Sequence, residues 1–384
     1  MTTLAILDRL ISFPTVSAES NLPIIDYVQD YLQTRGFEIH RMPDKTGQKA
    51  GLFACIGPSD RAGIMVSGHT DVFPTTGQNW TTNAFKMTVA NGKAYGRGTT
   101  DMKGYLASVM TLADRASKAD LKEPLKIAFS YDEEIGCVGI KSMIGHVETT
   151  IGLPRYCFVG EPTLMQVSVG HKGKAALRAT CHGMNGHSAM APKFLNALHL
   201  ATDFMSELRS LQDDYALNGA QDNDYSVPYS TIHVGKMSGG MALNIVPDKA
   251  VIDFEFRHLA ADNAEDILER IIAAAQKVSA AQQAQFPAAQ IDVLQHNAYP
   301  GLDTDTSGDV VKYAQKLAQV TNTTKVTFGT EAGYFSGHLG IPTVVCGPGS
   351  MGGQGHKPDE FIELSQLAAC DAMFDRLLGD IKRT

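Results

Sequence analysis

No run of about 18 apolar residues occurs in the 384-residue chain, so a transmembrane helix is excluded on length. Basic residues are not in excess either. Lys and Arg number 33 against 41 Asp and Glu, a formal net charge of −8, which argues against nucleic acid or an anionic membrane surface as a partner. The six cysteines, Cys55, Cys137, Cys157, Cys181, Cys346 and Cys370, are scattered with no C-x-x-C pair. The N-terminal MTTLAILDRLISF lacks a basic leader and places Asp8 and Arg9 inside its apolar stretch, so it reads as an amphipathic helix and not a signal peptide. Together these features imply a cytoplasmic protein with reduced thiols. There is no low-complexity tract, no internal repeat and no G-x-S-x-G elbow, which removes the common serine hydrolase signal.

What is present is an alternation of helix-period and strand-period segments. Residues 4–13 and 22–32 read as helices, FEIHRM, GLFACIG and AGIMVSG as strands, GYLASVMTLADRA as a helix, LKIAFSY as a strand, 139–146 as a helix and YCFVG as a strand. That rhythm predicts an α/β layer with a largely parallel sheet, its functional groups beyond the carboxyl ends of the strands. Near residue 175 the order becomes strand (KAALRATCHG), long helix (FLNALHLATDFMSELRSL), two strands (STIHVGKM, AVIDFEFRHL) and a second long helix (EDILERIIAAAQKVSAAQ). This suits a small α+β unit with helices on one face of an antiparallel sheet. From about 290 the α/β rhythm returns with IDVLQ, DVVKYAQKLAQV, IPTVVCG and LSQLAACDAMFDRLL. The expected organisation is a catalytic domain in two parts, 1–175 and 289–384, with residues 176–288 inserted between them.

The chemistry sits at the segment ends. In VSGHTDVFP the apolar run breaks at Gly68 and leaves His69 and Asp71 two residues apart, facing the same way on an extended chain. Four further ends carry isolated acids or a histidine: Asp101 in YGRGTTDMKG, Glu133 and Glu134 in SYDEEIGC, Glu161 in FVGEPT and His356 in GQGHKPDEF. Singly, each has an ordinary reading as a helix terminus, a solvated pair, a strand exit or a loop histidine. Together they form the mixed nitrogen and carboxylate set that zinc-like ions take. Asp101 has two oxygens and can bridge two ions, His69 and Glu134 completing one site and His356 and Glu161 the other. Asp71 is then the acceptor that steadies His69. Glu133 is left over beside a ligand, and its use is as a general base that takes a proton from water and delivers it to a leaving amine. The implied class is metal-dependent amide hydrolysis.

The five motifs GHTDV, GRGTTDMKG, DEEIG, GEPT and GHKPDE, in that order, resemble the cocatalytic-zinc peptidase and deacylase family over essentially the full chain. That family includes aminoacylases, carboxypeptidase G, succinyl-diaminopimelate desuccinylase and acetylornithine deacetylase. The resemblance implies two zinc ions, with Co2+ as a substitute, bound by His69, Asp101, Glu134, Glu161 and His356, and Glu133 as the base. It implies that the ferredoxin-like inserted domain is a lid that makes homodimers. By the same resemblance, His187 in HGMNGHSAMAP stabilises the oxyanion from the neighbouring subunit, and Asn244 in ALNIVPDKA and Arg257 in FEFRHL hold polar and carboxylate groups of a small N-acyl amino acid. GTEAGYF (Gly329 to Phe335), DEEIGC and Tyr105 resemble the acetylornithine deacetylase branch, whereas the desuccinylase branch usually has Ser-Asp where this chain has Glu331-Ala332. The carboxylate of Glu331 would then pair with the side-chain ammonium of N2-acetyl-L-ornithine, in a step of arginine biosynthesis. An aminoacylase, a desuccinylase, an N-acetylcitrulline deacetylase and a dipeptidase are the competing activities. A dinucleotide loop in GPGSMG (347–352) is rejected, because the following MGGQGHKP does not open a helix. A non-catalytic metal or ligand sensor is disfavoured because the base and every ligand are present.

Overall fold

The apolar runs of the first half form strands buried on both faces, as central strands between helical layers must be. Every residue of Ile64–His69 and of Leu125–Ser130 is buried. In the computed structural model, which describes residues 1–382, these strands belong to a unit made of Met1–His171 and the chain from Leu302 onward. Its nine-stranded sheet runs in the order Glu38–Pro43, Ala50–Ile56, Leu125–Ser130, Ile64–His69, Tyr156–Pro162, Thr343–Gly347, Val167–His171 and Leu302–Asp303, with Thr323–Val326 also paired to Val167–His171. The four middle strands, from Leu125–Ser130 to Thr343–Gly347, are parallel, so their carboxyl ends open on one edge. The strands Glu38–Pro43 and Ala50–Ile56 add on antiparallel.

Glycines let the layers close around that edge. The strand does not break at Gly68 as expected; it continues to His69 in register with Leu125–Ser130. Glycine is needed there because a Cβ would lie 2.7 Å from Met102 Cε and 2.9 Å from Leu106 Cδ2. One strand over, a Cβ on Gly160 would fall 2.1 Å from the ring of Tyr105. That ring is buried, with its hydroxyl donating to the Phe158 carbonyl at 3.2 Å. Tyr105 begins the helix Gly104–Ala116, almost wholly buried between the sheet and the helices Thr3–Ile11 and Leu364–Ile381. A small three-stranded sheet, Phe361–Glu363, Lys93–Tyr95 and Thr88–Ala90, ties the C-terminal part of this unit to the segment entering Asp101.

The second unit is Lys172–Gly301. Its antiparallel sheet has the order Thr231–Gly239, Lys249–His258, Gly173–His182, Gln290–Tyr299. Burial alternates along Gly173–His182 and Lys249–His258, and the inward residues pack on the helices Ala197–Asn218 and Ala264–Gln283 in a core of their own. IDVLQ was expected to reopen the α/β part. It is instead an outer strand of this sheet, Ile291 opposite Cys181 and Val293 opposite Ala179. Its period-two pattern was readable, but which strand it pairs with is a long-range choice that local pattern does not carry. All six cysteines are free, and no helix among the described residues is long and apolar enough to cross a membrane.

Candidate metal centre

Four adjacent parallel strands deliver four polar ends to one edge, where open α/β sheets place their chemistry. His69 ends Ile64–His69, Glu133 and Glu134 follow Leu125–Ser130, Glu161 lies in Tyr156–Pro162, and His356 lies in the loop after Thr343–Gly347. Asp101 enters from the segment Thr99–Lys103, just before the helix Gly104–Ala116.

Asp101 is the hub. Its Oδ1 is 3.1 Å from His69 Nε2 and its Oδ2 is 3.2 Å from His356 Nε2. His69 Nε2 also lies 3.7 Å from Glu161 Oε1, while His356 Nε2 lies 2.8 Å from Glu134 Oε2. The expected pairing is therefore exchanged: His69 goes with Glu161, and His356 with Glu134. Strand order places the His356 loop beside Glu161, but the chain after Gly347 turns through Gly349 (φ +90°) and Gly353 (φ +81°) and carries the imidazole over to Glu134. There it stacks on Phe73, centroids 4.3 Å apart and planes 8° apart.

The surrounding groups fix these side chains. His69 Nδ1 is 3.0 Å from the Asp71 carbonyl and 3.4 Å from its carboxylate, so the Nε2 edge is the one presented to Asp101. The Asp71 carboxylate accepts from Ser17 Oγ at 2.6 Å and from the N–H groups of Glu133 (3.1 Å) and Glu134 (3.3 Å). It thus anchors the turn carrying both glutamates as well as facing His69. Asp132, at φ +53°, accepts from the Ala18 N–H at 2.9 Å and pairs with Lys49. Glu133 Oε1 accepts from Cys137 Sγ at 3.3 Å, and a Glu133 oxygen lies within 4.8 Å of the facing atoms of His69 and Glu161.

Left to themselves, these groups repel. Burial, with Asp101 and its neighbours adding to it, pushes the Glu161 carboxyl well above the ordinary range and Glu134 up to about 7. Burial and the charges of Glu134, Glu331 and Asp101 push Glu133 well up too. Against the effect of burial, Asp101 and Asp71 hold His69 above its usual value, and Asp101 and Glu134 hold His356 at about 10. Glu134 Oε1 is buried with no hydrogen-bond partner. A buried carboxylate set with an orphaned oxygen and two inward imidazoles is what divalent cations compensate, and the donors are those zinc-like ions take. The residues fit two ions sharing Asp101.

Sequence reasoning missed the supports. Glu360, 1% exposed, accepts from the N–H groups of Gly98 (2.9 Å), Thr100 (2.8 Å) and Asp101 (3.2 Å) and pairs with Arg97 at 2.8 Å. It stood in the GHKPDE motif, but nothing local marks it as buried. Glu331 is 1% exposed and opens the helix Ala332–Leu339. The Ser130 hydroxyl faces it, yet neither carboxylate oxygen has a hydrogen-bond partner of ordinary geometry, and burial raises its carboxyl to about 7. Gly329 lies two residues earlier in the preceding loop.

The remaining three residues belong to the second unit. His187, exposed, pairs opposite Ile245 in a two-stranded ribbon, and its Nδ1 accepts from the Ala189 N–H at 3.1 Å. Asn244 is exposed at the base of that ribbon, its carbonyl accepting from the Ser188 N–H at 3.0 Å. Arg257, on Lys249–His258, donates from Nε to Glu255 at 2.8 Å.

Residues 65–380 match the family model described as Peptidase family M20/M25/M40. The chain belongs to that family. Family M20/M25/M40 membership makes it a metallo-hydrolase, in accord with the donor set above. It is 30% identical over 378 residues to an acetylornithine deacetylase of Proteus mirabilis (strain HI4320), covering 96% of this chain and 94% of that one. It is 31% identical over 380 residues to an acetylornithine deacetylase of Myxococcus xanthus, covering 98% and 96%. Among solved structures of the M20 fold, a metallo-carboxypeptidase from Sulfolobus solfataricus superposes with a TM-score of 0.81 at 19% identity over 100% of this chain and 99% of that one. A tripeptidase from Staphylococcus aureus gives 0.76 at 17% identity over 100% and 98%.

Proposed function

We propose that this protein removes the acetyl group from N2-acetyl-L-ornithine, giving acetate and L-ornithine. The observation that carries the chemistry is Asp101, which presents one oxygen to each of two histidines, each with its own glutamate. His69, Asp101 and Glu161 would hold one ion, and His356, Asp101 and Glu134 the other. When bound there, zinc ions, or Co2+ in their place, would supply Lewis-acid polarisation of an amide carbonyl and a lowered pKa for a water. Glu133 accepts a proton from the attacking water and passes it to the departing α-amine, so that water is added across the C–N bond with no other reactant. His187 serves the developing oxyanion, Asn244 the polar groups of the substrate and Arg257 its α-carboxylate.

Glu331 is assigned to the side-chain ammonium, with Gly329 giving the substrate close approach to the backbone. A buried carboxylate faced only by the Ser130 hydroxyl is poised for a cation, and a charge-assisted hydrogen bond of this kind is worth roughly 1.5–3 kcal/mol. The deciding experiment is steady-state hydrolysis of N2-acetyl-L-ornithine beside N-succinyl-diaminopimelate, N-acetylmethionine and a dipeptide, with a chelated control. We expect acetylornithine to be strongly preferred and activity to vanish on chelation. Glu331→Gln is expected to lower kcat/KM for acetylornithine about 10- to 100-fold and to leave N-acetylmethionine unchanged. Preference for another amide would keep the chemistry and remove the ammonium role.

The protein is further proposed to be a homodimer through the smaller unit. Thr231–Gly239 is an edge strand with mostly exposed side chains, and Met237, Met241, Leu243 and Ile245 are exposed nearby. An apolar edge of this kind is ordinarily covered. Light scattering across a concentration series should report the mass of two chains; a single-chain mass throughout would remove the proposal.

A further inference from the structure

His356 differs from the other groups around Asp101. His69 is 1% exposed at the end of a central strand, whereas the side chain of His356 is 37% exposed, in a loop, with φ at +60°. A non-glycine residue in the left-handed region persists only where its surroundings hold it there. Stacking on Phe73 restrains the ring. The backbone is held from elsewhere, by the side chain of Gln78, whose Nε2 donates to the His356 carbonyl at 2.7 Å.

The other end of that amide is equally engaged. Gln78 Oε1 accepts from Arg97 Nη2 at 2.6 Å and from Trp80 Nε1 at 3.1 Å. Arg97 is 1% exposed, lies over the Trp80 ring and is paired with Glu360. Glu360 in turn holds the N–H of Asp101. One continuous path therefore joins the backbone of Asp101 to the backbone of His356, through Glu360, Arg97 and Gln78. The neighbouring loop is fastened the same way, Thr81 N–H and Oγ1 both donating to Asp359 Oδ1 at 2.9 Å. No comparable link from Gln78 reaches His69 or Glu161 among the described contacts.

We propose that Gln78 is a positioning residue that sets the affinity of the His356–Glu134–Asp101 site for its ion and acts far less on the His69–Glu161–Asp101 site, which it reaches only through Arg97 and Glu360. The proposal rests on the two-ion reading above. Without the Gln78 bond the loop reaches the same imidazole position less often, and the apparent affinity falls by the fraction of time it is absent. Supporting contacts around metal ligands typically control affinity by about 10- to 100-fold.

The test is titration of the metal-stripped protein with Co2+, followed by visible absorption and calorimetry, in six proteins: wild type, Gln78→Ala, and the His69→Ala and His356→Ala single-site variants, each with and without Gln78→Ala. Wild type should bind two ions. Gln78→Ala should weaken one step about 10- to 100-fold and keep the other within about twofold. In the His69→Ala background, where only the His356 site remains, Gln78→Ala should weaken binding strongly; in the His356→Ala background it should weaken it far less. Gln78→Glu keeps an acceptor for Arg97 and loses the donor to His356, so it should behave like Gln78→Ala while its metal-free melting temperature stays at the wild-type value. Two intact steps in Gln78→Ala, or equal weakening of both, would overturn the proposal and leave the two-ion reading standing. A wild type that binds fewer than two ions would overturn both.

Discussion

Glu133→Gln should lower kcat for N2-acetyl-L-ornithine by about 10²–10⁴-fold, the usual worth of a positioned general base, while the protein keeps two ions per chain. The amide is isosteric with the carboxylate, and its backbone N–H still bonds to Asp71. What is lost is the ability to take a proton. The metal count is the decisive half of the experiment, because a Glu133 oxygen lies within 4.8 Å of the facing atoms of His69 and Glu161 and could itself be a ligand. A base leaves the stoichiometry at two when replaced; a ligand does not. KM should change little, since Glu133 is assigned no contact with the bound amide before the proton moves. A variant that hydrolyses at the wild-type rate would remove Glu133 from the mechanism, and one that loses an ion would make it part of the site.

The geometry explains why so much of this centre was legible beforehand. Central parallel strands are short apolar runs that end abruptly, and the first polar residue after each is displayed at a common edge. His69, Glu133, Glu134 and Glu161 sit at or just beyond such ends and His356 in the loop after one, so reading segment ends gathered, before any distance was known, side chains that the fold brings together. The order in which they pair was not legible. Strand adjacency favours His356 with Glu161, and the exchange depends on how far the loop after Gly347 reaches, which two left-handed glycines and the Phe73 ring decide. Supporting residues were invisible for another reason. Glu360 and Arg97 read as ordinary surface charges in a polar loop, and only burial reveals them as the clamp on the Asp101 backbone. The same holds for IDVLQ, whose period announced a strand and whose partner lay more than a hundred residues away.

Asp101→Asn should abolish stable binding at one of the two sites and weaken the other severely, with hydrolysis falling to background. An amide offers one acceptor oxygen where the carboxylate offers two, and it removes the charge on which both histidines converge. Among the described residues no other faces both histidines in this way, so this is the variant expected to cost most. The exchanged pairing then makes a sharper demand on combinations. His69→Ala and Glu161→Gln strike the same site, so the double variant should keep one ion per chain, with the second substitution adding little to the first. His69→Ala with Glu134→Gln strikes both sites, and that double variant should keep none. Metal content after dialysis, measured on the four singles and both doubles, separates the arrangements directly. If His69→Ala/Glu134→Gln retained one ion and His69→Ala/Glu161→Gln none, His69 would share its ion with Glu134 after all. The 2.8 Å approach of His356 to Glu134 would then belong only to the protein without its metals.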